Sequence, residues 1–174
     1  MPPPFGGWQP RISTSRLPRM LKTKQVVVTF LSVLLLFGAA STASARGLTA
    51  AETSLLKTMN GARASHGLAP LHVDFRLERT ARGHSADMLR HQYFAHGAFA
   101  SRVRSSGAFG PVFGENLAWG PVSASWVVGK WLASAEHRSI LLRPGFTRVG
   151  IGAFQGSFAG QAGTLVVTAD FAGR

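Results

Sequence analysis

One apolar run near the start of the chain decides which part of it folds. Residues 26–37 are apolar apart from Thr29 and Ser32, two lysines precede them, and Ala43-Ser44-Ala45 follows. A basic start, a short apolar stretch and an Ala-x-Ala site form the pattern of a secretory signal peptide. We therefore predict a signal peptide over residues 1–45 and one folded, exported domain over residues 46–174.

The leader leaves one alternative open. Its apolar run is about twelve residues long, whereas a helix needs roughly 20 residues to cross the hydrocarbon core of a bilayer. Cleavage after Ala45 is the prediction, and an uncleaved segment that stays as an anchor is the alternative. Residues 1–19 make an unusually long basic start, and Met20 gives a conventional one. We therefore predict that translation begins at Met20.

The exported part has to fold without disulfide bonds, because the chain contains no cysteine. Its 129 residues suit one domain built around one core. Such a domain relies on apolar burial, and it has neither thiolate ligands nor a cysteine nucleophile. We expect a monomer that is secreted, extracellular or associated with the cell envelope.

The exported part is basic, with 14 lysines and arginines against 7 acids, and most of these cations are arginine. The guanidinium fork suits phosphate and carboxylate groups. We therefore expect an anionic or apolar partner from the envelope, such as a lipid, a wall polymer or an acidic glycan, and an association with the membrane surface. The arginines are scattered and form no nucleic-acid-binding pattern, so we predict no nucleic-acid partner.

Two helices are predicted from local signals in the first half of the domain. Thr49 and Glu52 form a capping box that starts a helix running to about His66, where Gly67 supplies the left-handed stop. Asp74 caps a second amphipathic helix that continues toward residue 91.

The second half of the domain is predicted to end in strands. Residues 107–120 are rich in glycine and are predicted to be a loop that carries Glu115. Residues 122–142 return to a helical pattern, and residues 147–154 and 164–171 form an antiparallel hairpin around a turn at residues 155–163. Helices followed by strands predict an α+β fold, with the helices packed on a small antiparallel sheet.

Three short segments each place an ionisable group beside aromatic or small residues. They are Tyr93-Phe94-Ala95-His96, Gly114-Glu115-Asn116-Leu117-Ala118-Trp119-Gly120 and Trp131-Leu132-Ala133-Ser134-Ala135-Glu136-His137-Arg138. Their order and spacing resemble the signature of the CAP superfamily, the SCP/PR-1-like domains of cysteine-rich secretory proteins, antigen 5 and pathogenesis-related 1 proteins. The chain is similar to the bacterial pattern at other positions too, among them Asn60, Arg63, Gly67-Leu68, Pro70-Leu71, Asp74, Asp87-Met88, Pro144 and Val149-Gly150. This resemblance spans residues 55–171 and implies a three-layer α-β-α sandwich.

The resemblance also implies a cavity lined by two histidines and a glutamate. In this chain they are His96, His137 and Glu115, and the wider set of cavity candidates adds Asn116, Ser134 and Arg138. Imidazole and carboxylate are the ligands that zinc takes when thiolate is absent, so zinc or another divalent cation is the candidate cofactor, held by His96 and His137. Spacings of 19 and 22 residues do not by themselves show that the three side chains meet.

This chain departs from the family pattern in three places. A second cavity glutamate is replaced by Ser134, an asparagine after the histidine-arginine pair is replaced by Ile140, and a Pro-Asp-Gly loop is replaced by residues 97–102. The catalytic set implied by the resemblance is therefore incomplete, and Glu115 is the one candidate catalytic residue.

Three functions remain open from the sequence. The favoured one is a non-enzymatic domain that binds a lipid-like or cell-envelope ligand at the cleft lined by histidine and glutamate. The second is a zinc-dependent hydrolase in which Glu115 is the general base and Asn116 or Arg138 steadies the oxyanion. The third is a cell-surface interaction domain. A serine hydrolase is not supported, because there is no Gly-x-Ser-x-Gly motif.

Overall fold

The computed structural model describes residues 47–174, so the predicted leader and the site after Ala45 lie outside the described residues. This part contains five helices and four strands. In chain order they are α1 (Ala50–Ser65), β1 (His72–Val73), α2 (Phe75–His91), α3 (Phe99–Ser105), β2 (Val112–Gly120), α4 (Ala124–Ala133), α5 (Ala135–Leu141), β3 (Phe146–Phe158) and β4 (Gln161–Gly173). Within residues 47–174, no helix has both the length and the apolar character needed to cross a membrane.

The four strands form one mixed sheet in the order β1-β3-β4-β2. The predicted hairpin is confirmed as β3 and β4, which pair antiparallel, and β2 pairs antiparallel with the other side of β4. The sheet departs from the predicted antiparallel pairing only at one edge, where the two residues of β1 pair parallel with β3. The α+β class is confirmed.

The loop predicted for residues 107–120 is wrong over most of its length, because Val112–Gly120 is strand β2. The strand pairs with β4 from Val112 opposite Gly173 to Gly120 opposite Leu165. Glycine at position 114 has a packing reason, since a side-chain carbon there would lie 3.0 Å from the ring of Phe146. Long-range pairing with β4 therefore overrides the local preference of glycine for turns.

The helix starts follow their local signals. Thr49 and Glu52 make the capping box at α1, and the Asp74 carboxylate accepts hydrogen bonds from the backbone at the start of α2. The single helix predicted for residues 122–142 is broken at Ser134, whose extended backbone ends α4 and precedes α5. Residues 97–102, which stand in place of the family's Pro-Asp-Gly loop, include the start of helix α3 at Phe99.

Alternate residues of β3 face the two helical layers, as expected for a strand. Val149 and Ile151 belong to the main apolar core, which also contains Leu55 of α1 and Trp131 of α4. Gly150 and Gly152 lie on the other face, where the backbone of α2 packs directly against them. The helices therefore form layers on both faces of the sheet, which is the predicted α-β-α sandwich.

Candidate functional site

Strand β2 places Glu115 and Asn116 on opposite faces of the sheet, because adjacent strand residues alternate. Glu115 faces α2 and α3 and is only 3% exposed. Its Oε1 lies 2.7 Å from His96 Nδ1, and its Oε2 accepts a hydrogen bond from Arg102 Nη2 of α3. Both carboxylate oxygens are therefore occupied.

A second buried acid lies next to Glu115. Asp170 of β4 is directly opposite Glu115 in the strand register, and Thr80 Oγ1 lies 2.7 Å from Asp170 Oδ2. Burial and the charge of Glu115 raise the pKa of Asp170 to about 8. Burial also raises the pKa of Glu115, and the Arg102 guanidinium opposes this rise. At neutral pH, Asp170 is therefore protonated and Glu115 is the partner that pairs with Arg102.

Sequence reasoning missed Asp170, although one signal was present. It is the only acid in the apolar run of residues 164–171. A carboxyl group in a run that is buried on both faces of a sheet has to be paired or protonated, because an isolated buried charge is costly. That rule marks Asp170 as a residue with a partner elsewhere in the fold.

The two histidines lie near each other but have different partners. His96 is largely exposed, with 57% of its side chain accessible, and it contacts Glu115. His137 is half-buried, and its Nδ1 lies 2.9 Å from Ser134 Oγ. Burial lowers the pKa of His137, and the charge of His96 lowers it further. The structure thus brings His96 and Glu115 into contact, and it brings His137 within electrostatic range of His96.

Two further predicted cavity residues, Asn116 and Arg138, do not line the same cleft as His137. The fully buried Asn116 donates from Nδ2 to the His137 carbonyl at 2.9 Å, which ties α5 to β2. Arg138 donates to the Leu132 carbonyl and lines a separate surface depression with His66 and other residues. Neighbouring helix residues point about 100° apart, which explains why Arg138 does not follow His137 into the cleft.

A cleft of about 260 Å³ wraps around the open edge of β2. It is lined by Phe94, Leu117, Ala118, Trp119, Trp126, Lys130, Trp131, Ser134 and His137. Trp131 is held in place because its indole N–H donates to the Leu117 carbonyl at 2.9 Å. Lys130 Nζ lies 5.4 Å from the centre of the Trp126 ring, a cation-π distance. We name this feature the β2-edge cleft.

The sequence predicts zinc or another divalent cation at His96 and His137, and in this geometry Glu115 does not add a third ligand that is free for a metal. Both oxygens of Glu115 are used by His96 and Arg102, and within residues 47–174 no three His, Asp or Glu side chains are grouped to hold a metal ion. The contacts of the two histidines involve Nδ1, which leaves Nε2 of each ring as the remaining donor atom for a metal. Metal binding by His96 and His137 stays a prediction.

An α-β-α sandwich with this histidine- and glutamate-bearing edge defines an SCP-type domain. The chain belongs to the CAP family, whose description is "Cysteine-rich secretory protein family" and whose profile matches residues 56–171. The family resemblance drawn from the sequence is therefore confirmed.

Similar proteins come from bacteria. YkwD of Bacillus subtilis (strain 168) is 33% identical over 117 residues, which are 64% of this chain and 46% of YkwD. The membrane protein YlbC of the same organism is 35% identical over 109 residues, which are 60% of this chain and 32% of YlbC. This chain thus spans less than half the length of these relatives.

The fold is also found in solved structures. An extracellular protein containing an SCP domain from Bacillus anthracis str. Ames superposes with a TM-score of 0.62 at 25% identity, over 74% of this chain and 45% of that one. An outer surface protein of Borrelia burgdorferi superposes with a TM-score of 0.60 at 20% identity, over 71% of this chain and 92% of that one, a likeness of fold alone.

Proposed function

We propose that this protein is an exported, non-enzymatic binding protein whose β2-edge cleft holds an amphipathic envelope ligand, with an apolar chain and an anionic head group. The observation that carries the proposal is the lining of the cleft. Aromatic and aliphatic side chains make up most of it, and Lys130 is the one lining residue that is always cationic. Apolar walls with a few polar groups are typical of small-molecule binding sites.

The two parts of the ligand match two parts of the cleft. Trp119 and Trp126 offer flat apolar surfaces for a hydrocarbon chain, whose burial is favourable in proportion to the area removed from water. Lys130 and the Ser134 hydroxyl offer polar contacts to a carboxylate or phosphate at one end. A neutral ligand would keep the apolar burial against the tryptophans and lose the charged contact with Lys130.

The hydrolase reading has less support from the same geometry. A general base has to contact the water that it activates. Glu115 is only 3% exposed and its oxygens contact His96 and Arg102, so its carboxylate is screened from solvent, and Asp170 beside it is protonated at neutral pH. The carboxylate therefore acts as a tie between His96 and α3, which favours a binding role for the cleft.

An envelope ligand agrees with the features that point outside the cell. The leader pattern predicts export, and the similar Bacillus anthracis protein is described as extracellular. The excess of arginine over acids favours approach to anionic surfaces. These features support the envelope as the source of the ligand.

Binding of decanoate and of its neutral analogue decanol tests the proposal by isothermal titration calorimetry. We expect decanoate to bind the purified protein and Lys130→Gln to weaken it by roughly tenfold, because one charge-assisted contact is lost. Decanol binding should be the same in both proteins. Lys57→Gln on the exposed side of α1 is the matched control. Equal decanoate binding in wild type and Lys130→Gln, or no binding of either compound, would contradict the proposal.

A further inference from the structure

A larger cavity of about 610 Å³ lies between α2 and α3. It is lined by Arg79, Thr80, Gly83, His84, Asp87, Tyr93, Gly97, Ala98, Arg102, Ser105 and Ser106, and it shares no lining residue with the β2-edge cleft. We name it the α2–α3 cavity. Asp87 and Tyr93 of the family pattern line it, but the function proposed above does not use it.

The α2–α3 cavity has opposite charges at its two ends. Arg79 and Asp87 are eight residues apart on α2, which is a little more than two turns, or about 12 Å along the helix axis. The Arg79 side chain is exposed, and a single long contact of 3.4 Å joins its Nη2 to the Ser106 carbonyl. Most of its N–H donors therefore remain free for a ligand.

At the other end, Asp87 is a charged and accessible acceptor. The Tyr93 hydroxyl donates to Asp87 Oδ2 at 2.5 Å, and this hydrogen bond lowers the pKa of Asp87. His91 Nδ1 lies 2.9 Å from Oδ1, and 46% of the Asp87 side chain is exposed. The carboxylate is thus ionised and held in place, and its remaining lone pairs face solvent.

The stretch between these charges is open and uncharged. Gly83 lies midway along α2, and a side-chain carbon added there would meet nothing within 4 Å. Gly97 and Ala98 line the opposite wall. His84 is a neutral part of the wall, because burial lowers its pKa and its Nε2 contacts the Ala95 carbonyl.

Arg102 lines the cavity but adds little net charge to it, because the charge of its guanidinium is balanced by Glu115. The guanidinium also donates to the His96 carbonyl at 2.7 Å. The free charges of the cavity are therefore one cation, Arg79, and one anion, Asp87, at separate positions along α2. A simple anion would meet Arg79 and gain nothing from Asp87. A ligand that carries both charges would use both ends.

We propose that the α2–α3 cavity binds a short peptide with free termini, with its carboxylate at Arg79 and its ammonium group at Asp87. An extended chain advances about 3.3–3.6 Å per residue, so three or four residues cover the distance between these ends. The open space at Gly83 accommodates the peptide backbone, and the Ser105 hydroxyl lines the cavity where it can contact a peptide amide.

The test uses trialanine, N-acetyltrialanine and trialanine amide as probes, titrated into the ¹⁵N-labelled purified protein and followed by amide chemical shifts. We expect trialanine to bind with a Kd of about 1 mM or tighter, with shifts at Gly83 and Gly97. Each blocked peptide should bind roughly tenfold more weakly, because each has lost one charged contact.

Variants assign each end of the peptide to its residue. In Arg79→Gln, trialanine should bind no more tightly than trialanine amide but still more tightly than N-acetyltrialanine. In Asp87→Asn, trialanine should bind no more tightly than N-acetyltrialanine but still more tightly than trialanine amide. Gly83→Phe should block all three probes. Gly83→Ala and Arg90→Gln, the latter an equal loss of charge on the last turn of the same helix, should leave trialanine binding unchanged.

Three outcomes would overturn the proposal. The first is that trialanine causes no saturable shift, and the second is that all three probes bind equally. The third is that the shifts appear in the β2-edge cleft and not around α2 and α3. The peptide probes contain no long apolar chain. A negative result with them would therefore overturn the peptide site in the α2–α3 cavity without affecting the decanoate site in the β2-edge cleft.

Discussion

Glu115 on β2 and Asp170 on β4 are directly opposite each other on the α2-facing side of the sheet, and both are buried. Two facing carboxylates in such a place cannot both be charged without a large cost. The structure resolves this by pairing Glu115 with Arg102 and His96 and by leaving Asp170 protonated near Thr80. Glu115, the acid of the family signature, therefore carries the charge, and Asp170 opposite it is neutral.

This arrangement predicts a stability that depends on pH. The pKa of Asp170 is raised to about 8 in the folded state, against about 3.9 in an unfolded chain. The folded state therefore binds the proton more tightly, and the resulting stability is fully present below about pH 4 and is lost as the pH rises through about 8. Urea unfolding should show the free energy of unfolding falling by about 3 kcal/mol between pH 6 and 9.

Asp170→Asn separates this effect from other titrations. Asparagine keeps the shape of the neutral acid, so the fall in stability between these pH values should be largely absent in this variant. Glu136→Gln, at an exposed acid of α5, should keep the wild-type pH profile. A profile in Asp170→Asn that matches wild type would show that another group is responsible.

The ion pair of Glu115 with Arg102 should contribute to stability. Glu115→Gln removes the charge and leaves the guanidinium of a largely buried arginine without its partner, and we expect a loss of about 1–3 kcal/mol in unfolding free energy. His96→Ala should cost less than about 0.5 kcal/mol, because that side chain is mostly exposed. Equal losses in the two variants would contradict this division of roles.

Arg63 is expected to contribute strongly to stability although it lines neither cavity. It is fully buried at the end of α1, and its guanidinium donates to the carbonyls of Ala69, Leu141, Arg143 and Phe146. Arg63→Met would leave these carbonyls without donors, so we expect a loss of about 3 kcal/mol or more in chemical denaturation. A loss below about 1 kcal/mol would mean that water replaces the guanidinium.

The close packing of α2 on β3 predicts a position that tolerates no side chain. At Gly152, an added carbon would overlap the Ala81 carbonyl of α2. Gly152→Ala should lower the unfolding free energy by about 2–3 kcal/mol, because the backbone has to shift. Gly61→Ala on α1 has open space around it and should raise stability by up to about 1 kcal/mol. Thermal unfolding of both variants measures the contrast.

The sequence predicts the elements whose signals are local. The capping box at Thr49 and the cap at Asp74 each act within three residues, so the starts of α1 and α2 were predictable. Strand β2 was not, because its glycines are favoured in turns and only pairing with β4 makes the strand. The break at Ser134 was missed for a similar reason, since the residues on both sides are helical by composition.

The sequence predicted which residues belong to the candidate site, but it did not predict which atoms of those residues are in contact. The family signature indicates His96, Glu115 and His137, but spacing along the chain does not show which atoms they touch. The pairing of Glu115 with Arg102 depends on helix α3, which the sequence did not predict. The position of Arg138 outside the cleft depends on the orientation of α5, which packing sets and composition does not.

The most direct test of the binding role is a crystal structure of the protein grown with terminally brominated decanoate, with anomalous scattering used to locate the bromine. We predict one bromine peak in the β2-edge cleft, with the carboxylate near Lys130. A crystal saturated with the compound but with its bromine outside that cleft would contradict the account.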